Sequence, residues 1–289
     1  LAIANRLAQT ASVAVIEAGG FYEIDNGNQS VVPYYALNMA VLTQTEDYAK
    51  NPLVDWDLLT VPQVNAGNRR IHYARGKTLG GSSALNTMAY LRGTKGFHHR
   101  WATLVGDASY EFDALLPYFK KSATLTPPNF IKRATPNATF LYDPLAFSLL
   151  PNGPLQVSWA NWVDPTATWL AKALQATGIA LNNIGLNSGI LSGGAWSTTT
   201  IDPAHATRSS SQTSYLEDAI PNTGLMVYPH TQATKILFNA AKKATGVTVN
   251  TAGLTYTLSA NKEVILSAGV FHSPQLLMVS GKFEDYCPG

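Results

Sequence analysis

The sequence predicts an α/β fold with Rossmann-like nucleotide-binding features. Three observations carry that prediction. A short apolar helix runs straight into a β-branched stretch that ends on an acid, Ser12 to Glu17. A glycine-rich turn stands at Gly76 to Ser83. A succession of strand-like runs then fills Leu225 to Leu266.

The opening residues place Leu1, Ala4, Leu7 and Ala8 on one helical face, and Ser12 to Glu17 reads as the buried strand that this helix feeds. From Phe21 to about Arg70 the chain is rich in Asn, Pro and Tyr, which predicts a long irregular excursion. Helices are expected around Phe97 to Val105 and Phe112 to Ser122. A further helix is expected from Pro165 to Thr177, with Trp169, Leu170, Ala173 and Leu174 on one face and Gly178 ending it. Strands are expected at Leu225–Tyr228, Ala233–Phe238, Gly246–Val249, Leu254–Leu258 and Glu263–Leu266. A closing helix carries Leu276, Leu277 and Val279.

Composition narrows the function classes. With 289 residues, 46% of them hydrophobic and 13% charged, the chain can bury a large core. Lys and Arg number 20 against 18 Asp and Glu. No basic block or stripe stands out, so neither nucleic acid nor an anionic membrane surface is an expected partner. No run reaches the roughly 18 apolar residues of a membrane span. The single cysteine, Cys287, excludes an internal disulfide and a cysteine-rich metal site. The sequons Asn28-Gln29-Ser30 and Asn137-Ala138-Thr139 lean toward a secretory route, although location and oligomeric state stay open.

The chemistry sits in two stretches. In dinucleotide-binding folds an acid at the end of the second strand bonds the adenosine ribose, about 20 residues after a Gly-x-Gly-x-x-Gly turn. Glu17 stands where that acid belongs, and counting back puts the turn just before Leu1. A glutamate merely ending a surface strand is the alternative if this stretch is taken alone. The second stretch runs from Arg75 to Asn86: Gly80 and Gly81 let backbone amides approach a flat ring or a phosphate, while Ser82, Ser83 and Asn86 supply hydrogen bonds.

Together these residues resemble a known family. Gly76 to His99 is similar to the first signature of the glucose-methanol-choline oxidoreductases, and Val15 to Gly20 to the family's ribose-binding strand end. Gly269 to Gly281 resembles the second signature, with Val270 where a small residue is usual. Arg208 to Leu216 and Thr231 to Ile236 are further family-like stretches.

The resemblance implies FAD as cofactor and a small-molecule alcohol as substrate, oxidised by hydride transfer to flavin N5. It implies that Glu17 bonds the ribose and that backbone groups at Ala233 bond the adenine. Arg75, Leu79, Gly80, Gly81, Ser82, Ser83 and Asn86, with Met88 and Ala89 just beyond, would hold the pyrophosphate and isoalloxazine. It implies an incomplete Rossmann-like FAD-binding domain over 1–45, 65–122 and 205–289, interleaved with part of an α+β substrate-binding domain over 123–204. The family's base is a histidine paired with His or Asn, expected beyond residue 289, so no catalytic residue is assigned in this chain. The chain thus reads as a fragment expected to hold FAD weakly or not at all, with a truncated, noncatalytic nucleotide-binding module as the alternative. Residues 282–289 break the second signature. They read either as translated intron, because Gly281-Lys282-Phe283 can be encoded across a donor sequence, or as a genuine divergent C-terminus.

Rival motifs are poorly formed. Gly76-Lys77-Thr78 imitates the end of a P-loop, but the first glycine would be Ile71. Gly80 to Ala84 approximates a nucleophile elbow but ends on Ala84. None of the six histidines, His98 and His99 included, forms a metal-ligand pattern, and His272 receives no catalytic role. Trp56, Trp101, Trp159, Trp162, Trp169 and Trp196 could line an aromatic pocket or simply pack.

Overall fold

A computed structural model describes residues 1–40, 48, 50–150 and 152–281. The expectations attached to Cys287 and to residues 282–289 lie outside the described residues.

The opening helix, Ala2–Leu7, turns the face of Leu1, Ala4, Leu7 and Ala8 inward, and its Asn5 is buried. Asn5 Nδ2 donates to the Tyr215 carbonyl and to Asp218 Oδ2, both at 2.8 Å, which ties the helix to a segment more than two hundred residues away. The strand Ala14–Ile16 pairs in parallel with Met226–Tyr228, Val15 opposite Val227. A parallel pair needs a crossover, and here the whole intervening chain serves as one. The mixed helices and strands make the fold α/β.

Thr231–Phe238, Ala244–Thr251 and Leu254–Ser259 form an antiparallel meander with the middle strand central. Ile236, Val247 and Val249 are buried in it. The helix Gly269–Val279 docks on this sheet through Leu276 and Ser280. Ser280 Oγ accepts from the Ile236 amide at 2.8 Å and donates to the Leu276 carbonyl at 2.5 Å.

Most expected elements are present, with boundaries set by caps. The helix Lys95–Val105 starts two residues early because Thr94 Oγ1 accepts from the Phe97 amide at 3.0 Å. Phe112–Ser122 is helical as expected. The helix Pro165–Ala176 ends where Gly178 takes φ +86° and the Ile179 amide reaches back to the Leu174 carbonyl.

Three expectations fail in detail. Glu263–Leu266 forms no strand: Glu263 and Ile265 are exposed, and the backbone pairs with no strand among the described residues. A β-branched run becomes a strand only where a neighbour completes its ladder. On Pro165–Ala176 the buried position is Thr168, while Trp169 and Leu170 are exposed, so the helix is rotated from its expected face. The excursion from Phe21 is also more ordered than its composition suggests. It holds the short helices Tyr22–Asp25 and Asn28–Val31, then an antiparallel ribbon bridged at Asp55 with Gly76, Leu59 with His72 and Gln63 with Arg69.

Between residues 123 and 204, Ala123–Leu125 and Leu155–Val157 pair in parallel over a core of Ala123, Ala146, Phe147 and Val157. Ala89–Tyr90 pairs with Thr198–Thr199 beside it. Buried guanidiniums stitch the irregular stretches: Arg92 donates to the Ala146 and Asn187 carbonyls, and Arg133 to those of Ala138 and Ala160. Five fixed donors on one side chain satisfy carbonyls that no ladder reaches.

Candidate functional site

Glu17 leaves the strand Ala14–Ile16 with its amide donating to the Tyr228 carbonyl at 3.0 Å and its own carbonyl accepting from Thr231 at 2.8 Å. Its carboxyl Oε1 accepts from the Gly19 amide at 3.0 Å. Burial pushes that carboxyl up from its ordinary 4.5 to about 7, against the lowering pull of the Gly19 and Ala18 amides and the Lys77 ammonium.

The chain then turns onto the glycine loop. The Gly20 carbonyl accepts from the Leu79 amide at 2.9 Å and from Thr78 Oγ1 at 2.8 Å, while the Gly19 carbonyl accepts from the His230 amide at 2.8 Å. Glu17, the loop and the strand that carries Ala233 are thereby brought to one place, three segments far apart in sequence. Around Gly20 stand Asp25 and His230: a Cβ at Gly20 would lie 2.5 Å from Asp25 Oδ2 and from His230 Cε1. Among the described residues the buried Asp25 Oδ2 has no hydrogen-bond partner.

The loop itself is held from behind and open in front. Gly80 and Gly81 take φ +97° and +54°, in the left-handed region that favours glycine. A Cβ at Gly80 would lie 3.3 Å from Gln212 Cβ, whereas one at Gly81 would meet nothing within 4 Å. Ser83 Oγ donates to the Gly80 carbonyl at 2.6 Å and accepts from the Ser211 amide at 3.0 Å. Ser82 Oγ accepts from the Gly76 amide at 3.2 Å. Ser82, Asn86 and Ala89 are exposed, so their side chains can meet a ligand. Leu79 and Met88 are buried in the core, which leaves only their backbone for that purpose.

The Arg75 guanidinium packs among aromatic rings. It lies over the Tyr73 ring at 4.1 Å and near the Phe271 ring at 5.6 Å, joining the 55–76 ribbon to the helix of the second signature. Trp56 lies on His272, ring centroids 4.2 Å apart, in the same junction. Behind it, the buried Asp55 bonds His72 Nε2 at 2.6 Å and accepts from the Arg75 amide at 2.9 Å. The six tryptophans do not share a pocket. Trp159 and Trp196 pack around Phe140, Trp101 lies on Tyr110, and Trp162 and Trp169 are exposed.

Sequence reasoning missed several contributors. Tyr22 is buried with Val54, Ala84 and Leu85, its hydroxyl 3.2 Å from Ser210 Oγ. Arg208 sits behind the loop, and the motif around it did not distinguish it from its serine neighbours. Two clefts, of about 320 and 190 Å³, are lined by residues of 126–204 and include none of the expected site residues. Among the described residues no group of acids, histidines or cysteine could hold a metal ion, and no helix is long and apolar enough to cross a membrane.

Comparison with known proteins gives concordant matches. A family profile described as GMC oxidoreductase matches residues 10–284. The chain is 52% identical over 284 residues to a glucose methanol choline oxidoreductase of Aspergillus terreus, covering 97% of this chain and 45% of that protein. It is 49% identical over 289 residues to a patulin synthase of Aspergillus clavatus, covering 97% of this chain and 44% of that protein. A solved FAD-dependent oxidoreductase from Chaetomium thermophilum superposes with a TM-score of 0.82 at 28% identity, over 97% of this chain and 45% of that one. The chain therefore spans about half the length of the relatives it matches.

Proposed function

Since the chain belongs to the GMC oxidoreductase family, we propose that Glu17, the Arg75–Asn86 loop and the strand end at Ala233 form the FAD-binding part of an enzyme that oxidises alcohols. The observation that carries this reading is the convergence of Glu17 with the glycine loop, Gly19 and Gly20 lying directly against Lys77 and Thr78.

The residues present fit the cofactor. A ribose offers hydroxyl donors, and the site offers the acceptor carboxyl of Glu17, fixed in place by the Gly19 amide at Oε1. The buried Asp25 Oδ2 beside Gly20 suits the same donor-rich partner. The open backbone at Gly81 and the exposed Ser82 and Asn86 suit phosphate or ring edges. Adenine contact belongs to the backbone at Ala233, and this part is an incomplete Rossmann-like body. The segment 123–204 contributes to the substrate side. When bound, FAD supplies the two-electron acceptor for the carbinol hydride. This chain's own residues bind and orient. The base that takes the hydroxyl proton belongs to the part of the relatives' length that this chain does not span.

The test uses the full-length protein. It should purify with a flavin spectrum and reduce that flavin with primary or secondary alcohols. Glu17→Ala should weaken FAD retention by on the order of 1.5 to 3 kcal/mol, the worth of hydrogen bonds to a charged group. Full-length protein that folds without taking up FAD would remove the reading.

A further inference from the structure

Arg208 is 2% exposed, and among the described residues its guanidinium bonds no carboxylate. Nε donates to the Ser30 carbonyl at 2.7 Å. One terminal nitrogen donates to the Ser83 carbonyl at 3.2 Å, to the Asn86 carbonyl at 2.8 Å and to Asn86 Oδ1 at 2.8 Å. The fork thus holds both ends of the 83–86 turn and one side chain on it. Burial lowers its pKa only to about 10, so the group is a cation at neutral pH.

The consequence for Asn86 follows from donor chemistry. Oδ1 of Asn86 also accepts from the Met88 amide, at 3.1 Å. Guanidinium and backbone N–H are obligatory donors, so the amide atom facing both must be the oxygen. Nδ2 is therefore turned away, on a side chain that is exposed at the front of the loop. The carbonyls of Ser83 and Asn86 are drawn back at the same time, away from the face that must accept an acceptor-rich ligand. Arg92 and Arg133 are also buried on carbonyls, but theirs lie in 138–187 and do not touch the loop.

We propose that Arg208 is the positioning residue of the cofactor loop, which it sets so that Asn86 faces bound FAD as a donor only. This rests on the FAD reading above. Phosphate oxygens and the carbonyl edge of an oxidised flavin are acceptors, so a donor-only Asn86 matches either.

Two variants of the full-length holoenzyme test it, read by FAD dissociation constant, near-UV circular dichroism and amide exchange over 80–88. Asn86→Asp keeps an acceptor for Arg208 and for the Met88 amide while deleting the outward donor. It should fold as the parent does and weaken FAD at least about tenfold. Arg208→Lys keeps the charge but not the fork. It should speed exchange at residues 80–88 and weaken FAD by about tenfold. Should Arg208→Lys fail to fold, Asn86→Asp decides alone. A folded Asn86→Asp that holds FAD within about twofold of the parent overturns the proposal and leaves the FAD reading standing. A parent that takes up no FAD overturns both.

Discussion

Gly19 lies so close to Lys77 that a Cβ built on Gly19 would stand 1.8 Å from the Lys77 carbonyl oxygen and 2.9 Å from the Thr78 Cα. This contact joins the strand end of Glu17 to the loop behind Gly80, and both sides of it are backbone. Gly19→Ala cannot be absorbed by a rotamer change. It should cost about 3 kcal/mol or more, because overpacking against main chain moves the loop as a unit. Urea unfolding of wild type and variant measures it. A loss below about 1 kcal/mol would show that the two segments separate freely.

The raised pKa of Glu17 makes stability depend on pH in a defined direction. Its folded value, about 7, lies above its ordinary 4.5, so the folded chain holds the proton more tightly than the unfolded one. The stabilisation is complete below 4.5 and is lost as pH rises through about 7. Thermal melts between those limits should show the chain losing on the order of 2 kcal/mol from this group, and Glu17→Gln should flatten that slope. If Glu17 holds the ribose as proposed, the full-length protein binds FAD through the carboxylate, and FAD affinity should rise over the same window. A Glu17→Gln variant with an unchanged pH slope would remove Glu17 as its source.

Asp55 supports the loop from the ribbon side. Asp55→Ala would strip His72 of this bond and leave the Arg75 amide unsatisfied, in a place where both acidic and imidazole side chains are buried. The expected cost is about 3 kcal/mol, the range for breaking a buried pair, seen as a lower denaturant midpoint. Asp55→Asn, which keeps an acceptor, should lose less. Equal losses in the two variants would assign the effect to packing instead.

Asn137 is exposed at a turn with φ +62°, and Thr139 is exposed beside it. In the other sequon Ser30 is buried, its Oγ accepting from Asn26 Nδ2 at 2.7 Å. Secretory expression should therefore place a glycan on Asn137, and Asn137→Gln should remove one glycan's mass. Secreted wild type with an unmodified Asn137 would count against a secretory origin.

Local sequence determined the elements whose causes are local. Runs of β-branched, aromatic and aliphatic residues produced the strands around Val15, Val227, Ile236 and Val249, and the glycines at 80 and 81 announced backbone in the left-handed region that favours glycine. The family likeness rested on those same short-range patterns, as did the places of Glu17 and the loop. Tertiary structure alone decided what depends on neighbours. Glu263–Leu266 has strand composition but pairs with no strand among the described residues, and it forms none there. Trp169 and Leu170 look like a core face, yet the helix turns Thr168 inward. Arg208 reads as one residue in a polar run until folding buries it behind Ser83 and Asn86, 125 and 122 positions away. A propensity belongs to a few consecutive residues, whereas a ladder, a buried face or a desolvated guanidinium is completed by groups from elsewhere in the chain, and only the assembled fold supplies them.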